Sequence, residues 1–215
     1  MAVFTALTRA EAASFLTQFT LGELVDLQGI ASGIENTNYF LTTSQGRYVL
    51  TAAIVTRLDG LAVVQPTPAH CALVGDVLAR MHKAGADFPL FQPHLRGIGW
   101  WKESVPKLEP HIPDDVFQRL ADELIYQDSF FRSARFENLP SGPIHADLFR
   151  DNVLIDGAAG GERIGGLIDF YFAGCSIWLF DLAVTMNDWC VDQATGAFDP
   201  ARAQAMIDAY HAVRP

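Results

Sequence analysis

Two hydrophobic periods divide this chain. Thr8-Arg9-Ala10-Glu11 has capping-box spacing, with Glu11 three residues beyond Thr8, and opens a short helix through about Phe19. Alternating, β-rich sequence follows at Leu24–Ile30, Asn38–Thr43 and Arg47–Leu50. Turn residues at Ser32-Gly33 through Asn36 and at Ser44-Gln45-Gly46 separate these runs, which predicts a three-stranded meander. After Asp59-Gly60 the period becomes helical. Pro68–Ala84 carries Leu73, Val74, Val77, Leu78 and Met81 at helical spacing and stops at Gly85. A Pro-, Gly- and Trp-rich stretch from Phe88 to Trp101 reads as a loop. Val116–Phe131, Trp178–Cys190 and Pro200–Val213 read as helices. Between them, Val153–Asp156 and Ile164–Asp169 flank the glycine-rich turn Gly157–Gly161, which predicts a hairpin.

One junction breaks the pattern. Tyr48-Val49-Leu50-Thr51 runs into Ala52-Ala53-Ile54-Val55-Thr56-Arg57-Leu58 with no turn residue between them. A single strand over Arg47–Leu58 would exceed the usual length of roughly 3–10 residues. The reading therefore places two abutted strands here, with the segment between them absent from the sequence.

Composition adds limits. The chain has 215 residues, half of them apolar, enough for one large domain or two small lobes around a real core. Fifteen basic against 25 acidic residues give a formal charge of −10, which disfavours nucleic acid and anionic membrane as partners. Only Lys83, Lys102 and Lys107 are lysines, so a polyphosphate site here needs metal ions, backbone N–H groups or Arg. No apolar run reaches the roughly 20 residues of a membrane-spanning helix, and Met1–Leu7 has no signal-peptide pattern. Cys71, Cys175 and Cys190 are odd in number without C-x-x-C spacing, and read as reduced thiols of a cytoplasmic protein.

The chemistry concentrates at Pro143–Val153. His145-Ala146-Asp147-Leu148-Phe149-Arg150-Asp151-Asn152 holds H-x-D-x-x-x-x-N, and an apolar strand ends some way beyond it in Ile168-Asp169-Phe170. Phosphoryl transfer needs a carboxylate to take the hydroxyl proton and oxygen ligands for Mg²⁺ on the phosphates. Asp147 supplies the first; Asn152 and Asp169, brought together by the hairpin between them, supply the second.

These residues resemble the aminoglycoside-phosphotransferase-like kinases, relatives of the protein kinases, over most of the chain. The wording is most similar to bacterial homoserine kinases at Gly33–Asn38, His145–Asn152, Ile168–Phe172 and Asp181–Cys190. The resemblance implies an α+β, two-lobed protein-kinase-like fold. Its small antiparallel β lobe would span residues 1–58, incomplete here, and its mainly helical lobe residues 59–215. It implies ATP-dependent phosphorylation of the L-homoserine side-chain hydroxyl with Mg²⁺, in threonine biosynthesis. By the same resemblance Asp147 is the base and Asn152 and Asp169 are the metal ligands. Gly33, Asn36, Asn38, Val49, Thr56 and Leu58 fall where that family covers the nucleotide and borders adenine. Asp181 matches an aspartate that braces the catalytic loop, and His145 orients that loop. For the substrate's ammonium and carboxylate the reading names Asp188 and Arg150, each with a structural alternative.

The departures are specific. The strand Tyr48-Val49-Leu50-Thr51 has Thr where such kinases place a phosphate-holding Lys, and no helix with a partner Glu follows it. Related proteins are expected to continue into further helices after Pro215. Three other functions fit parts of the pattern: a kinase of choline, a sugar or an aminoglycoside; a metal-dependent phosphohydrolase built on His145, Asp147 and Asp169; and a catalytically silent kinase-like binding module.

Overall fold

A capped helix begins the order in the computed structural model, which describes residues 7–30, 38–51 and 54–215. The Thr8 hydroxyl accepts from the Glu11 N–H at 3.2 Å while the Glu11 carboxylate accepts from the Thr8 N–H at 2.8 Å, which starts α1 (Arg9–Leu16). The helix stops at Leu16, short of the expected Phe19, where its buried face (Ala12 and Leu16) runs out.

The chain divides into two units, Met1–Leu58 and Asp59–Pro215. In the first, β1 (Leu24–Ile30), β2 (Asn38–Thr43), β3 (Arg47–Leu50) and β4 (Ile54–Thr56) form one antiparallel sheet in sequence order. The stretch Arg47–Leu58 is thus two strands, with Tyr48 opposite Thr56, Val49 opposite Val55 and Leu50 opposite Ile54. Folding back brings Leu50 and Ile54 to the core of Leu16 and Leu41, which a single extended strand would forfeit.

The second unit is built on α2 (Pro68–Ala84) and α7 (Pro200–Val213). Thr67 and His70 cap α2 reciprocally, and Pro68 stands in its first turn, where its missing N–H does no harm. The buried stripe of α2 is Cys71, Val74, Gly75, Leu78, Ala79 and His82. It is rotated from the expected face: Leu73, Val77 and Met81 are only partly buried, while Gly75 and His82 are buried. Ala203, Met206 and Tyr210 of α7 pack with this stripe, and Leu148, Val153 and Trp189 complete the core. A fully buried side chain such as Leu78 contributes about 1.5–3 kcal/mol.

α3 (Ile98–Leu108) begins inside the stretch expected to be loop. It pairs with α4 (Asp114–Phe131) through Trp101 and Phe131, whose ring centroids lie 6.2 Å apart. The short α5 (Ala134–Glu137) leads into β5 (Ser141–Ile144), which pairs antiparallel with β8 (Gly174–Ile177). The expected hairpin is β6 (Val153–Asp156) against β7 (Arg163–Leu167), so its second strand ends two residues before Asp169. The helix α6 (Trp178–Trp189) follows β8 directly.

Candidate active site

The site begins where β5 delivers Ile144 to a tight turn. Ala146 and Asp169 are the two non-glycine residues with left-handed backbone among the described residues, at φ 66° and 62°. Such a conformation costs about 1–3 kcal/mol and persists only where its surroundings impose it. At Ala146 the cause is one carboxylate. Asp181 accepts from the His145 N–H at 2.8 Å through Oδ2 and from the Ala146 N–H at 2.7 Å through Oδ1. Two consecutive N–H groups converge on one acceptor only if the chain turns between them.

Asp181 is fully buried in the first turn of α6, where the helix N-terminus favours negative charge. His82 Nε2 lies 3.0 Å from Asp181 Oδ2, and His82 Nδ1 lies 2.7 Å from the Tyr210 hydroxyl. A buried chain of groups therefore joins the His145–Ala146 turn to α2 and α7. The sequence reading missed His82 and Tyr210 in this role. The signal was present: His82 continues the Val74, Leu78 spacing of four on a buried face, where an ionisable residue needs partners.

His145 pins the loop to the far side of the hairpin. Its Nε2 donates to the Ile168 carbonyl at 3.0 Å, and its ring lies 4.5 Å from that of Phe170. The ring is wholly buried, with Nδ1 unpartnered among the described residues. Next along the chain, Asp147 is half-buried, and burial pushes its carboxyl above the usual range. The neighbouring His145 opposes that shift, whereas Asp169 and Asp151 add to it.

Asn152 joins the two halves. Its amide nitrogen donates to the Asp147 carbonyl at 2.7 Å and reaches Asp147 Oδ2 at 3.3 Å, which leaves Oδ1 as the group it can offer a ligand. Its backbone carbonyl accepts from the Ile168 N–H at 3.0 Å. That bond extends the β6–β7 ladder one step beyond Val153 and Leu167, and so sets Asn152 beside the exposed Asp169. An amide oxygen and a carboxylate are hard donors of the kind Mg²⁺ takes. Among the described residues no group of three or more His, Cys, Asp and Glu side chains is placed to hold a metal. A cation here would need further oxygen ligands from what it binds, as Mg²⁺ on a nucleotide phosphate does. The phosphohydrolase constellation of His145, Asp147 and Asp169 is not assembled as a metal-holding group.

Arg150 and Asp188, expected as separate partners for substrate charges, meet each other. Arg150 Nε lies 3.0 Å from Asp188 Oδ2 and one Nη 3.0 Å from Oδ1, and the Arg150 N–H donates to Oδ2 at 2.7 Å. The other Nη donates to the Val64 carbonyl at 3.0 Å. The fork-to-fork geometry and burial of both side chains make this a brace between the loop and α6. Trp189 reinforces it by donating from Nε1 to the Leu148 carbonyl at 3.0 Å.

In the first unit, Gly33 and Asn36 lie outside the described residues. Asn38 opens β2 with a buried Oδ1 that has no partner among the described residues. Val49 sits between Phe40 and Val55, Thr56 closes β4 opposite Tyr48, and Leu58 is exposed at the end of the unit.

Residues 50–215 match the phosphotransferase enzyme family. A homoserine kinase of Paraburkholderia xenovorans (strain LB400) is 45% identical over an alignment of 265 positions that takes in 100% of this chain and 80% of that protein. Against the 215 residues present here, 265 positions leave at least 50 without a counterpart in this chain. The solved macrolide 2′-phosphotransferase of Brachybacterium faecium superposes with a TM-score of 0.65 at 15% identity, covering 95% of this chain and 83% of that one. An amicoumacin kinase solved in complex with AMP-PNP, Ca²⁺ and Ami gives 0.63 at 16%, covering 97% and 81%. At such identities the two structures establish the fold, an antiparallel β lobe with a helical lobe.

Proposed function

The chain belongs to the phosphotransferase enzyme family, with the homoserine kinases, and from that premise we propose that it phosphorylates the side-chain hydroxyl of L-homoserine with ATP. The observation that carries the reading is the trio at the head of the hairpin: Asp147 held by the Asn152 amide, with Asn152 tied through its carbonyl to Ile168, the residue before Asp169.

In this reading Asp147 orients the acceptor hydroxyl and takes its proton as the hydroxyl oxygen bonds to the γ-phosphorus and the bond to ADP breaks. The upward push on its carboxyl makes it a better proton acceptor once ionised. Asn152 Oδ1 and the Asp169 carboxylate would hold Mg²⁺, which supplies positive charge to the phosphates when bound. Asp181, backed by His82 and Tyr210, fixes the left-handed turn at Ala146 that aims Asp147. His145 and the Arg150–Asp188 brace hold the loop on its two flanks.

A panel of hydroxyl acceptors with ATP and Mg²⁺ tests the assignment. L-homoserine is expected to turn over in preference to choline, hexoses and aminoglycosides. Turnover of one of those without turnover of homoserine would reject it. Asp147→Asn should lower kcat by about 10²–10⁴-fold while nucleotide affinity stays nearly unchanged. Activity kept within a few-fold would remove Asp147 from the role of base.

A further inference from the structure

Pairing of Arg150 with Asp188 leaves the proposed substrate's carboxylate without the partner that the sequence offered. Releasing Arg150 would strand Asp188, whose side chain is only 16% exposed, without its counter-charge. Most other cations of the second unit also have acceptors. Arg80 meets Asp76, Arg119 meets Asp115, Arg163 meets Asp156 and Arg202 meets Asp199, while Lys102 and Arg132 share Asp128.

Arg96 meets no carboxylate among the described residues, as Lys107, Arg135 and Arg214 do not, but its guanidinium carbon lies over two aromatic rings, 4.7 Å from the centre of Trp100 and 5.2 Å from that of Phe172. A guanidinium held over ring faces keeps its in-plane N–H donors available. Those donors form the fork that matches a carboxylate.

The chain path links this fork to the turn that Asp169 begins and to the loop that carries Asp147. Phe172 ends the short turn Phe170–Phe172 that Asp169 begins, and Phe170 lies against His145, two residues before Asp147. The strip carrying Arg96 is laid along the continuation of that same turn. Cys175 N–H donates to the Gln92 carbonyl at 2.7 Å, Gln92 Nε2 donates to the Ala173 carbonyl at 3.3 Å, and Pro93 bridges Cys175 in parallel. Gly174 permits the close approach, since a Cβ there would stand 3.0 Å from the His94 Cα. The Gly97 N–H then donates to the His94 carbonyl and turns the chain into α3, which brings Trp100 to the other contact of Arg96.

We propose that Arg96 is the specificity-determining residue that binds the carboxylate of the amino-acid acceptor, with Trp100 and Phe172 holding its guanidinium in place. The inference rests on the kinase reading above and deepens it. It makes Arg96 the group that separates an amino-acid alcohol from the same alcohol without a carboxylate.

The experiment compares L-homoserine with 3-amino-1-propanol, which is homoserine lacking the carboxylate, for the unsubstituted chain and for Arg96→Gln and Arg96→Lys. Arg96→Gln should raise KM for homoserine by about 10- to 100-fold and shrink the kcat/KM preference for homoserine to match, with KM for MgATP moving less than about twofold. Arg96→Lys, keeping the charge but not the fork, should fall between. An unchanged KM for homoserine in Arg96→Gln, or equal slowing on both acceptors, overturns the inference while the kinase reading stands. If the unsubstituted chain phosphorylates a different alcohol and not homoserine, the kinase reading fails first and the inference with it. A merely structural Arg96 would lower the thermal midpoint and both acceptors' rates together, and so counts against the inference.

Discussion

Asp147 must be ionised to accept a proton, yet its burial favours the neutral acid. The acid limb of kcat/KM should therefore lie above the ordinary aspartate value of about 3.9. Asp151 adds to the push, so Asp151→Asn should lower the Asp147 pKa and carry that limb to lower pH in a pH–rate profile. A limb that stays in place or moves upward would contradict Asp147 as the titrating base. The same shift has a stability sign. A carboxyl whose pKa is raised by folding opposes the folded state above that raised pKa and not below its unfolded value. Asp147→Asn should thus raise the thermal midpoint near neutral pH, and the gain should fade as pH falls through the folded and then the unfolded pKa. Asp147, Asn152 and Asp169 were legible in the sequence because their relation is local: a fixed spacing plus a hairpin that returns the chain. Arg150 and Asp188 were legible only as charges. That they neutralise each other depends on a contact across 38 residues of sequence, which spacing does not encode.

Hydrophobic period located the long helices, and it misjudged the face of α2 because a glycine counts for nothing in an apolar pattern. At Gly75 the backbone of α7 lies close: a Cβ there would stand 2.2 Å from the Met206 carbonyl oxygen and 3.0 Å from its carbon. Backbone cannot rotate away as a side chain can, so Gly75→Ala forces the helices apart. Overpacking of this kind costs about 1–3 kcal/mol, only partly offset by the roughly 1 kcal/mol that alanine gains over glycine in a helix. Gly99, in α3, has nothing within 4 Å of the same added atom. Gly75→Ala should lower the thermal midpoint and Gly99→Ala should hold or raise it. Equal effects would mean that helix propensity, and not the α2–α7 approach, decides. The elements that the pattern overlooked share a cause. β5 (Ser-Gly-Pro-Ile) and β8 (Gly-Cys-Ser-Ile) are four residues each, rich in strand-weakening types, and exist through pairing with each other. α3 was hidden by Pro106 within it and by the glycines at its start.

Charge belongs to the whole molecule. The chain carries −10, and its first unit has no lysine: its cations are Arg9, Arg47 and Arg57. Arg9 donates to the Val25 carbonyl and Arg47 also has a partner, while Arg57 lies 3.9 Å from the centre of the Phe40 ring with its N–H donors still open among the described residues. A nucleotide site lined with free cations would lose affinity steeply as salt rises, because each pair is screened over a Debye length of about 10 Å at 0.1 M. In the proposed site the phosphate charge would fall to Mg²⁺ on Asn152 and Asp169 and to backbone N–H groups, while a net charge of −10 on the chain disfavours the approach of an anion. Screening then removes a net repulsion. KM for MgATP should accordingly stay level or fall when monovalent salt is raised from about 20 to 200 mM at saturating free Mg²⁺. A steep rise would show that arginines meet the phosphates directly, and would return the nucleotide's charge balance from the metal to the side chains.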